Sequence, residues 1–169
     1  MKRLAIGLLA ALVSATVPAS VDDPNAAAAF ERLKQLAGNW QSTAGDGKGA
    51  VTRFEIIGNG SAILEKYRDQ KLGAGNEMVT MYHLDGARLL LTHYCMAKNQ
   101  PRMQLASYDP ASGELTFEFL DATNLPAGAG HMHRARYALE GPDRFTTVWD
   151  FVQGGKTTFS EKQQFSKVN

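Results

Sequence analysis

The residues of this sequence best suited to chemistry cluster in two short stretches. LTHYC (91–95) carries His93 and Cys95 two positions apart, and HMH (131–133) carries His131 and His133 at the same spacing. In an extended strand such neighbours project from one face, so each pair points in a single direction. Imidazole, thiolate and carboxylate are ligand types that zinc or copper accepts. His93, Cys95, His131 and His133, with Asp121 nearby, could therefore form a metal site. A metal-bound water there could support hydrolysis. The same residues also fit a hydrogen-bonded rim: Asp121 accepts from a histidine, Arg102 pairs with Asp121 or Glu77, and Asn124 pins a loop.

Other catalytic chemistry finds little support. No nucleophile elbow, glycine-rich phosphate loop or paired-carboxylate motif occurs. His93 and Cys95 would lie parallel, so only His131 or His133 across a mouth could activate the thiol. The motif inventory points away from an enzyme.

The elements that must position these groups can be read in order. NAAAAFERLKQL (25–36) predicts a helix: Asp22, Asp23 or Asn25 can cap it, Pro24 suits its first turn, and Phe30, Leu33 and Leu36 recur at helical spacing. About ten runs of strand length follow. Turn chemistry separates them at 45–49, 58–61, 84–87, 109–113, 140–143 and 153–156. One helix and then a long antiparallel meander predicts an all-β chain: a closed up-and-down barrel of about 8–10 strands, since closure removes exposed edges.

Alternation assigns faces. Leu115, Phe117, Phe119 and Asp121 share one side of their strand, Phe145, Trp149 and Phe151 share another, and His131, His133, Ala135, Tyr137 and Leu139 a third. A three-residue loop around Gly86 would gather Val79, Met81, His83, Leu89, Leu91, His93 and Cys95 inside. A two-residue turn would put His83 and His93 on opposite faces. The first arrangement is expected. Alternating strand directions then bring His93, Cys95, Arg102, Asp121, Asn124, His131 and His133 to one rim and leave His83 at the other end.

The helix leading into Leu36-Ala37-Gly38-Asn39-Trp40 and a meander resembles the start of a lipocalin-type (calycin) barrel, in which a Gly-x-Trp enters the first strand and the Trp plugs the closed end. That pattern also places an arginine from the last strand over the Trp, where this chain offers Lys162 or Lys167. YHLDGARLLLTHYC and DATNLPAGAGHMHR are similar to segments of uncharacterised exported bacterial lipocalin-like proteins; this resemblance implies a fold and no activity. Haem binding of the kind found in nitrobindin-like barrels would need a late axial histidine, and none follows His133.

Bulk properties complete the reading. Lys2 and Arg3 precede an uncharged run from Leu4 to Val17, then Pro18, Ala19 and Ser20, which reads as a secretory signal peptide over 1–19. The run is shorter than the roughly 20 residues a membrane helix needs, so stable insertion after cleavage is not expected. A linker and helix (20–37) and one barrel domain (38–169) follow, directed to the periplasm or outside. A net charge of +1 gives no electrostatic footprint for nucleic acid. A single cysteine excludes an intramolecular disulfide. The expectation is a barrel holding a small hydrophobic or amphipathic ligand, with His93, Arg102, Asp121, Asn124, His131 and His133 at its polar end and Phe117 and Trp149 inside.

Overall fold

A computed structural model of the chain describes residues 25–168. The signal-peptide and cleavage-site expectations, the capping by Asp22 or Asp23 and the first-turn role of Pro24 fall outside the described residues. Helix α1 (Ala26–Lys34) has Asn25 at its N-cap position and buries Ala26, Ala29, Phe30 and Leu33. Ten strands follow: β1 (Gly38–Gly45), β2 (Val51–Ile57), β3 (Ala62–Arg68), β4 (Met78–Asp85), β5 (Arg88–Tyr94), β6 (Gln100–Asp109), β7 (Glu114–Thr123), β8 (His131–Leu139), β9 (Arg144–Gln153) and β10 (Lys156–Val168). Each pairs antiparallel with its neighbours in sequence, and β1 pairs β10 to close the barrel. The expected class, the closure and the helix before the barrel are all present.

One end is closed by aromatic packing. Trp40 is 1% exposed and donates its indole N–H to the Leu36 carbonyl at 2.7 Å. Its ring meets Phe145 edge-on at 4.9 Å, and Phe145 stacks on Phe165 at 4.8 Å. Lys167 Nζ lies 5.4 Å from the Trp40 ring centroid, so a last-strand cation does cover the Trp. α1 braces this end, with Arg32 donating to the Leu139 carbonyl. Phe117, Tyr82 and Tyr137 pack in mutual edge contacts further along the barrel. Each such buried aromatic stabilises the fold by about 1.5–3 kcal/mol through area removed from water.

Three local features change the expected faces. The β4–β5 turn is Gly86-Ala87, with Asp85 opposite Arg88 and Gly86 at φ 61°. This pairs His83 with Leu90 and Thr80 with His93, so His83 and His93 occupy opposite faces. The inward set is Met78, Thr80, Tyr82, Leu89, Leu91 and His93, not Val79, Met81 and His83. Leu120 is an extra residue in β7, since Arg102 and Met103 face Asp121 and Phe119. His133 is likewise extra in β8, since Met132 and Arg134 face Phe151 and Asp150. Each bulge reverses the alternation beyond it.

Candidate ligand site

The bulges decide which predicted residues meet. Beyond Leu120, Asp121 turns outward and pairs with Arg102 in a two-point ion pair on the barrel exterior, each side chain about half exposed. Beyond His133, Met132 rather than the histidines enters the barrel, at 6% exposure. His131 Nε2 and His133 Nδ1 hydrogen-bond each other at 3.0 Å, and both rings pack on Phe119. Asn124 donates to the Gln100 side chain. The expected rim cluster is thus dispersed. Among the described residues, no group of three or more His, Cys, Asp or Glu side chains is placed to hold a metal ion.

Of the predicted polar residues, His93 is the one that reaches the interior. It is 5% exposed, its Nδ1 hydrogen-bonds Thr80 Oγ1 at 2.9 Å, and its ring lies 4.9 Å from that of Trp149. Nε2 is buried and has no partner among the described residues. Burial lowers the imidazole pKa to about 4, so the ring is neutral at physiological pH. With Trp149 it lines an inner cavity of about 40 Å³, whose wall also includes Glu65, Tyr67, Thr147, Gln163 and Phe165. Met78, Met132 and Glu161 belong both to this wall and to a mouth of about 570 Å³, where Leu72, Cys95, Met96, Phe151 and Phe159 give an apolar lining. Asp46, Asp69 and Lys71 stand at the mouth. Burial raises the Cys95 thiol pKa, which keeps it protonated and poorly nucleophilic. Phe117 is fully buried among Tyr82 and Tyr137 and forms core rather than cavity wall.

The deepest polar feature is a carboxyl that sequence reading did not single out. Tyr82 Oη donates to Glu65 Oε2 at 2.5 Å, and Thr52 Oγ1 donates to Glu65 Oε1 at 3.0 Å. Tyr82 and Tyr137 hydroxyls lie 2.6 Å apart. Because the Tyr82 proton is committed to Glu65, Tyr137 is the donor to the Tyr82 oxygen. Desolvation raises the Glu65 pKa to about 6, with the Tyr82 and Thr52 hydrogen bonds acting against it. Burial, with the nearby Glu65 charge, holds both tyrosines well above their ordinary value. Ile63, Glu65 and Tyr67 share one face of β3 by simple alternation, which was the available signal for an inward carboxyl.

A second group of polar residues sits where β10 faces β3. Gln163, 4% exposed, donates its amide to Tyr67 Oη at 2.8 Å and to Glu161 Oε1. This orientation leaves Gln163 Oε1 buried and, among the described residues, unpartnered. The cavity wall therefore contains two unsatisfied polar atoms, two carboxyls and three aromatic rings, Tyr67, Trp149 and Phe165. Among the described residues, no lysine or arginine contributes to it.

No family model and no curated protein matches the chain. Among solved structures it resembles Rv2717c from M. tuberculosis, known from its crystal structure, at 14% identity and a TM-score of 0.55, over 83% of this chain and 98% of that one. At that identity the likeness shows the barrel fold alone.

Proposed function

We propose that this barrel binds a small amphipathic molecule, with its apolar part in the mouth and its polar group in the inner cavity. One observation carries the reading. His93 Nε2 and Gln163 Oε1 are buried polar atoms without partners among the described residues, and both residues line a cavity that shares Met78, Met132 and Glu161 with an apolar mouth. An unpaired buried polar atom costs about 1–3 kcal/mol, and a ligand head group that bonds both atoms would offset that cost. The mouth supplies the apolar surface typical of small-molecule sites. The polar end of the site is thus His93, Gln163, Glu65 and Glu161, in place of Arg102, Asp121, Asn124, His131 and His133.

The lipocalin-like relationship belongs to the same proposal. Its support is the short helix, Trp40 at the closed end and the Lys167 cation over it. Export rests on the sequence of residues 1–19, and N-terminal sequencing of protein recovered from outside the cytoplasm tests it: a mature chain beginning near Ser20 is expected.

Ligand binding is tested by native mass spectrometry of the purified protein, followed by denaturing release and identification of any bound organic molecule. In parallel, n-decanol is titrated while Trp149 emission is followed. Saturable binding that His93→Leu weakens several-fold is expected. Failure of both measurements to show any bound molecule overturns the reading.

A further inference from the structure

We infer that the head group this site selects is a primary alkylammonium, so that its ligand is a cationic amphiphile rather than a fatty acid or a neutral lipid. The inference rests on the pocket reading above and specifies its chemistry.

The donor and acceptor inventory of the inner cavity is lopsided. Gln163 is held with its amide N–H groups on Tyr67 and Glu161, so the atom left over is an acceptor. Glu161 and Glu65 add carboxylate oxygens to the same wall. A neutral His93 contributes no positive charge, and among the described residues no lysine or arginine lines the cavity. A carboxylate head group would therefore meet the carboxyls of Glu65 and Glu161 and an acceptor it cannot bond. An ammonium offers three donors to this set.

The apolar part of the wall agrees. Tyr67, Trp149 and Phe165 present aromatic rings around the same space, and aromatic faces attract cations through their quadrupole. Gln163 Oε1 separates the cationic classes, because a quaternary ammonium has no proton to give it. At the mouth, Asp46, Asp69 and Glu161 outnumber Lys71, so the approach is also electronegative. Leu72, Met96, Phe151 and Phe159 then accommodate an alkyl chain.

The test is calorimetric titration of the full mature protein at neutral pH with four probes of equal chain length: n-decylamine, n-decanol, decanoate and decyltrimethylammonium. Decylamine is expected to bind at least tenfold more tightly than decanol, with decanoate weakest and decyltrimethylammonium several-fold below decylamine. Glu161→Gln is expected to narrow the gap between decylamine and decanol, by weakening decylamine binding several-fold more than decanol binding. Decanol or decanoate matching decylamine overturns the ammonium inference and leaves the pocket reading intact. Equal binding of decyltrimethylammonium overturns the primary-amine specificity. No binding of any probe overturns both readings.

Discussion

The imidazole of His93 lies against the indole of Trp149, ring centroids 4.9 Å apart and planes inclined by 43°, in the wall of the inner cavity. Burial there lowers the histidine pKa from 6.5 to about 4. The unfolded chain therefore takes up this proton before the folded one does. His93 leaves stability intact above pH 6.5 and removes it progressively as pH falls toward 4, on the order of 3 kcal/mol in all at about 1.4 kcal/mol per unit. Urea unfolding across this range is expected to show the loss, and His93→Gln to flatten it. A profile unchanged by that substitution would mean that another group governs the acid limb.

Glu65 acts with the opposite sign. Its pKa rises from 4.5 to about 6 on folding, so its burial carries no penalty below pH 4.5 and costs stability as pH rises through 6. The cost at neutral pH is about 2 kcal/mol. Glu65 and His93 thus offset each other between pH 4.5 and 6. Glu65→Gln is expected to steepen the acid loss in that window, read from the same unfolding curves. An equally shallow slope in the variant would remove Glu65 from this account.

The closed barrel was legible because its signals are local: turn residues at regular spacing, alternation within each strand, and a helix pattern before Trp40. The site was only partly legible, and the reason is specific. Bulges at Leu120 and His133 each insert one residue, and neither is marked by glycine or proline. Alternation carried across them sent Asp121, His131 and His133 inward, when the fold sends Met132 inward instead. The loop at Gly86 failed in the same way, since one residue of register separates the two faces. His93 was placed inside even so, because the inward Leu89 and Leu91 share its phase within β5. Glu65, Gln163 and Glu161 were equally readable by alternation in β3 and β10, but they belong to no motif.

Gly45 is a backbone requirement of the barrel seam. It has φ +91°, and a Cβ there would fall 2.0 Å from the Lys162 carbonyl oxygen across the β1–β10 pairing. Gly49 has a similar φ of +96° with nothing within 4 Å of a Cβ. Gly49→Ala should therefore cost only the backbone strain, about 1–2 kcal/mol, while Gly45→Ala adds a main-chain collision and should cost clearly more. Thermal melts of the two variants separate the contributions. Equal losses would show that the seam relaxes freely around residue 45.

Met132 lines both the mouth and the inner cavity, so it stands between them in the proposed binding mode. The His133 bulge turns it inward, where it lines both spaces together with Met78. Its unbranched side chain can shift rotamers to admit a ligand, whereas an indole at this position would fill the neck. Met132→Trp is expected to weaken decylamine or decanol binding at least tenfold. Met132→Leu, similar in volume, should stay within a few-fold of the parent protein. Melting temperature is measured alongside, because an overpacked wall that destabilised the barrel by 1–3 kcal/mol would also lower affinity indirectly. Binding lost with the melt preserved places the neck on the ligand's route. Unchanged binding in Met132→Trp would mean that ligand stays in the mouth and never reaches His93 and Gln163.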